Sequence, residues 1–201
     1  MTFDGIVSAY IREHRENARK EMRFFENQRH TPEVIRKAAL CELPDGKRHP
    51  HQYRIPRLSL EQAEARLQSV AKKLVRARDF GSLHDLVEAE IASIYRVSEL
   101  TIYDIAHRIG AYLRKAPRLV YLHRGTRIGA TAFGLHGRTI DPKQLPAAFF
   151  RLTPAEIEDC LCIYKDELKA DRGRTSSGGP HNAGQNPCQP RHAARKVGCK
   201  R

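Results

Sequence analysis

The stretch SLEQAEARLQSVAKKL, residues 59–74, decides the fold class. Its apolar residues Leu60, Ala63, Leu67, Val70 and Leu74 recur every three or four positions, which places them on one face of a helix. Ser59 and Gln62 form a capping-box pair, in which the serine oxygen takes one unpaired N–H and the glutamine answers at the serine's own N–H. Asp79-Phe80-Gly81 stops the pattern. The same period extends outward in both directions. Toward the start, Val7, Ile11, His14, Ala18, Met22 and Phe25 make one stripe, with Arg12, Arg15, Arg19, Lys20 and Arg23 on other faces. Thr31-Pro32-Glu33 reads as an N-cap with proline at the first helical position, and Pro44-Asp45-Gly46 as the turn beyond. Toward the end, Ser82 caps a helix carrying Leu83, Leu86, Val87, Ile91 and Ile94, and Thr101 caps another. Thr153-Pro154-Ala155-Glu156 opens one that carries Ile157, Leu161, Tyr164 and Leu168. Only residues 118–123 alternate, which predicts one short strand. The expectation is an all-α domain of about six helices over residues 1–170.

Residues 171–201 differ in kind. They hold five glycines, three prolines, no aromatic residue and one large aliphatic, Val197, with seven Lys/Arg against Asp171 alone. Such a segment cannot bury enough apolar surface to offset its ordering entropy, so it reads as a disordered basic tail. The whole chain has 201 residues and a formal charge of +13. The longest apolar run near the start, Ile6 to Ile11, is too short to span a bilayer and lacks the order of a signal peptide. A membrane or exported protein is therefore not expected, and the chain reads as cytoplasmic. Its five cysteines, an odd number, fit free thiols better than a closed disulfide set.

The stretch TIYDIAHRIGAY, residues 101–112, carries a T-h-Y-D-h-A…G pattern. It resembles the opening of the helix-turn-helix of the lactose-repressor family over about twenty residues, 101–120. The resemblance implies that Ala106 lets two helices approach, that Gly110 supplies the turn, and that residues 112–120 form a recognition helix. Tyr112, Arg114, Lys115 and Arg118 would then face the major groove or phosphates. Pro117 departs from the pattern: inside a helix it removes one hydrogen bond and clashes one turn back, at about 3 kcal/mol. The same residues also fit a plain core helix from Ile102 to Leu113, with Pro117 opening the next element.

A second stretch, LHRGTRIGA over 122–130, is faintly similar to a helix-hairpin-helix. It lacks the second glycine of the Gly-hydrophobic-Gly turn, having Gly125-Thr126-Arg127. Gly125 and Gly129 with Arg124 and Arg127 can still be read as a phosphate cradle, or as an ordinary capped turn between helices. Metal binding finds little support. Cys160 and Cys162 point about 200° apart on a helix, and His49-Pro50-His51 with Cys41 lacks a fourth ligand. The histidines and cysteines of the tail have unfamiliar spacings. His107, Tyr121, His123, Arg124 and Arg127 form a polar set able to line a phosphate-handling pocket, while Glu156, Glu158 and Asp159 read as the acidic first turn of a helix. No nucleophile elbow, phosphate-binding loop or zinc-protease motif occurs, and no cofactor is implied.

Charge sets the functional expectation. A protein this basic is drawn to polyanions by counterion release. The leading reading is a small helical nucleic-acid-binding protein, DNA ahead of RNA, contacting it through Tyr112, Arg114, Lys115, Arg118, Arg124 and Arg127. The alternative is a helical interaction module whose first amphipathic helix docks on an acidic partner or a homodimer mate through Val7, Ile11, Met22 and Phe25. An enzyme acting on nucleic acid or phosphate comes third.

Overall fold

The computed structural model describes residues 1–43, 45–49 and 52–169; the tail expected at 171–201 lies outside them. The described residues are mostly helical, as the periodicity predicts. Among their α-helices are α1 Phe3–Glu13, α2 Arg15–Glu26, α3 Thr31–Ala39, α4 Arg57–Ser69, α5 Ala71–Arg76, α6 Phe80–Ile91, α7 Glu99–Tyr112, α8 Arg124–Ala130 and α9 Pro154–Ile163, and residues 165–169 are helical as well. The strand expected near 118–123 is β1, Val120–Tyr121. It pairs antiparallel with β2, Thr139–Ile140, with Val120 opposite Ile140.

The helix count exceeds six because two long stripes break. His14 leaves helical geometry at φ −120°, dividing α1 from α2. The break serves two destinations: α1 buries Ile6, Val7 and Tyr10 in one core, and α2 buries Phe25 in another. Val70, at φ −109° and ψ 14°, similarly divides α4 from α5, while Leu60, Ala63, Leu67 and Leu74 all remain fully buried. The larger core is filled from α2 through α7 by Leu67, Leu83, Val87, Ile91, Ile105 and Ile109 among others. The smaller one joins α1, the β-hairpin and α9 through Val120, Ile140, Phe149, Ile157 and Leu161.

Several caps differ from the sequence expectation by one to three residues. Thr31 and Thr101 lie inside first turns, behind His30 and Ser98. Ser59 sits within α4, behind its N-cap Pro56. Asp79 caps α6, accepting from Ser82 N–H at 2.8 Å while Ser82 Oγ accepts from Asp79 N–H at 3.1 Å. Thr153 and Glu156 form the expected reciprocal pair at the start of α9.

The end of α7 bears on the helix-turn-helix resemblance. Lys115 N–H donates to Gly110 O at 2.8 Å and Arg114 N–H to Ala111 O at 3.2 Å, with Arg114 left-handed at φ 58°. These are the bonds of a Schellman closure. Gly110 lies inside α7 rather than in a turn. Residues 113–119 then run as turns and irregular chain into β1, so no recognition helix forms over 112–120. Pro117 fits that outcome, since it has no N–H to give a helix.

Candidate nucleic-acid interface and the adjoining cleft

The six side chains predicted to meet nucleic acid divide by their surroundings. Tyr112 is turned into the fold, its hydroxyl 3.3 Å from Thr31 Oγ1. Arg127 donates to both carboxylate oxygens of Glu99 at 2.7 Å. Arg124 is exposed at the start of α8. Arg114, Lys115 and Arg118 come together on one segment. Arg114 donates to Glu26 at 3.3 Å, and Lys115 Nζ donates to Val75 O at 3.4 Å.

The Lys115–Val75 bond ties this segment to the end of α5, whose charge the sequence reading passed over. Leu74 turns α5 inward, leaving Lys72, Lys73 and Arg76 exposed, with Arg78 just beyond. Among the described residues, none of these four cations nor Arg118 makes an ion pair. Asp79 is the lone carboxylate between Val70 and Phe80. Its own pKa is held down, first by the Ser82 N–H and hydroxyl, and further by Arg78 and Arg118. The result is a set of five exposed cations that make no salt bridge among the described residues, two of them with Asp79 nearby.

Gly125 and Gly129 do not cradle a phosphate. They are four apart on α8 and face α9: a Cβ at Gly129 would stand 2.2 Å from Leu161 O, and one at Gly125 would stand 2.6 Å from Cys162 Sγ. The glycines let two helices touch. His123 fixes the same junction. Gly125 N–H donates to its Nδ1 at 3.2 Å, which leaves Nε2 as the donor to the buried Glu158 of α9. Burial, then Asp159 and Asp104, push the Glu158 carboxyl well above the usual range. Glu156 and Glu158 are thus interior groups rather than a solvated acidic turn: Glu156 is buried against Arg15 at 2.9 Å.

A polar layer crosses the interior near Glu158. Asp104 of α7 accepts from Gln52 at 2.7 Å, and the buried Arg108 donates to Glu21 at 2.9 Å and to Gln52 at 3.3 Å. Tyr10 donates to Asp159 at 3.0 Å. Burial raises Asp104 to about 7 and Asp159 to about 6, and lowers His107 to about 4. His107 is therefore a neutral ring at pH 7, stacked on Tyr103 at 5.5 Å.

A cleft of about 100 Å³ opens among α6, α7 and β1. Its walls are aromatic: Tyr121 packs on His84 at 4.6 Å and on Tyr103 at 5.5 Å between ring centres. Glu88 paired to Arg138, and Glu99, add polar groups, and His123 also lines the space. Tyr103 Oη and His84 Nδ1 are buried without a hydrogen-bond partner among the described residues. Leaving such groups unpaired costs about 1–3 kcal/mol each. Burial also lowers the His84 pKa. Of the set read from sequence as a pocket, Tyr121 and His123 line this cleft and His107 does not. Sequence reasoning missed His84 and Tyr103, which sit on inward stripes and look like core. His84, Asp85 and Glu88 could in principle hold a cation, but Arg138 already engages Glu88.

No protein-family model, curated protein or solved structure matches the chain. Among the described residues, no helix is long and apolar enough to cross a membrane.

Proposed function

We propose that the chain binds nucleic acid by its phosphate backbone, through α5 and the 114–118 segment. The observation that carries this reading is the exposed set Lys72, Lys73, Arg76, Arg78 and Arg118, none of them in a salt bridge among the described residues, with the 114–118 segment tied to α5 where Lys115 reaches Val75. Cations already paired to protein carboxylates give up those bonds on binding, whereas these five do not. With no helix over 113–119 to enter a groove, the contact is to backbone rather than to base sequence. Each phosphate neutralised releases condensed counterion, so affinity falls with salt at a slope of about 0.9 per contact on duplex DNA.

The test is fluorescence anisotropy with labelled duplex and single strand between about 50 and 200 mM salt, comparing wild type with Lys72→Glu/Lys73→Glu/Arg76→Glu. The triple variant should bind far more weakly, and its salt slope should be shallower by about three contacts. Unchanged affinity in that variant would remove α5 from the interface. Docking through the first helix is disfavoured, because Val7 and Phe25 have no exposed surface. Ile11 and Met22 of the same stripe stay half-buried, so the face it offers a partner is interrupted at Val7 and Phe25.

A further inference from the structure

We infer that the cleft between Tyr121, His84 and Tyr103 receives one unpaired nucleobase from a strand held on the basic face. The inference rests on the phosphate-binding reading above and adds to it a preference for single strands.

Continuity is the first ground. A methyl group built on Gly81 would lie 3.6 Å from Asp79 Oδ1 and 3.7 Å from Tyr121 Oη. Asp79 in turn feels Arg78 and Arg118. Asp79, beside Arg78 and Arg118, and the Tyr121 hydroxyl thus lie within the width of one residue of each other, the scale that separates a base from its own backbone.

Shape is the second. The cleft is of a size for one planar ring entering edge first, and far short of a base pair. Tyr121 is only half-buried, so its ring gives a stacking surface already braced by His84 and Tyr103. Every base has a π-face, so such a platform takes bases with little regard to sequence.

Polarity is the third. Tyr103 and His84 line the cleft; Tyr103 Oη is buried with no hydrogen-bond partner among the described residues, and His84 Nδ1 makes no hydrogen bond there but lies 3.8 Å from Asp85 Oδ1. Glu88 and Arg138 also line the cleft, already paired to each other, so their remaining lone pairs and N–H groups are what a base edge could meet. A base edge presents N–H groups and ring acceptors together, which matches this mixed set. A phosphate offers acceptors alone and would be repelled by Glu88.

The full-length protein should bind a labelled oligonucleotide about ten-fold more tightly as a single strand than as a duplex of the same length. Tyr121→Ala should remove that preference and leave duplex binding within about two-fold of wild type. A strand carrying 5-iododeoxyuridine should photo-crosslink, in the unmodified protein, to the peptide bearing Tyr121, His84 or Tyr103. The crosslink answers the question even if Tyr121→Ala fails to fold. Equal single-strand and duplex affinity, with crosslinks elsewhere, would overturn the cleft and leave the phosphate face standing. Binding to neither polymer would sink both. A free deoxynucleoside monophosphate that displaces the strand at matching concentration would show a site for loose nucleotides and overturn the strand assignment.

Discussion

Two pairs of helices dominate the packing, α6 on α7 and α8 on α9, and they are joined by opposite means. Around α7 the contact is made of bulk: Leu67, Leu83, Ile91 and Ile105 fill the space between helices with interdigitating side chains. Between α8 and α9 the contact is made by omission, since Gly129 lets backbone meet backbone at Leu161. A bulky interface has many sequences that fill it, because volume can be redistributed. A backbone contact has one solution. The first pair should therefore be robust and the second brittle.

The sharpest break of this contrast is Gly129→Ala. Its added carbon meets a carbonyl oxygen that cannot rotate away, so stability should drop by about 3 kcal/mol or more, read by urea unfolding. A wild-type midpoint would show that the α8–α9 gap is soft. Leu67→Ala, in the other half, should cost about 2–5 kcal/mol through its cavity. Leu67→Met should cost less than about 1.5 kcal/mol, a tolerance no substitution at Gly129 can share.

Between the halves lies the polar layer, which pH should probe. Asp104 and Asp159 have pKa values raised from 3.8, to about 7 and about 6, so their stabilising contribution is full below 3.8 and is lost as pH rises toward those values. His107 is lowered from 6.5 to about 4, so its contribution is present above 6.5 and lost as pH falls toward 4. Asp104→Asn keeps a group able to accept from Gln52 and removes one of the losses on the alkaline side. Its melting temperature relative to wild type should be higher at pH 8 than at pH 5. An offset independent of pH would mean that Asp104 stays ionised throughout. A smaller effect sharpens the glycine comparison: Gly125→Ala clashes with the Cys162 thiol, which can turn, and otherwise makes ordinary contact with the His123 ring, so it should cost about 1 kcal/mol. Much of that should vanish in Cys162→Ala.

This contrast also marks what the sequence could say. The stripes of α4, α6 and α9 were legible because large side chains at helical spacing announce a buried face. α8 was not, because its seven residues bury glycines, threonine and alanine, and a missing side chain leaves no hydrophobic signal. β2 is two residues long and is defined by its partner eighteen positions away. The basic face was half legible. Arg114, Lys115 and Arg118 stood out beside a motif, but α5 was read for Leu74 and not for the cations around it. What unites them is a hydrogen bond across forty residues, Lys115 to Val75. The cleft was obscured for a related reason, since His84 and Tyr103 share their helical faces with aliphatic neighbours, and only the fold reveals which polar atoms go unpaired.

Arg114 closes α7 in a left-handed conformation, at the place where helices usually end on glycine. A residue with a side chain is strained there, so Arg114→Gly should raise stability by about 1 kcal/mol. On the phosphate-binding reading proposed above it should also weaken binding slightly, because Arg114 is a cation of the same segment although it already donates to Glu26. The two effects pull against each other at one residue. A directed search for thermostability would reach glycine at 114 early, and would discard one charge of the proposed face in doing so.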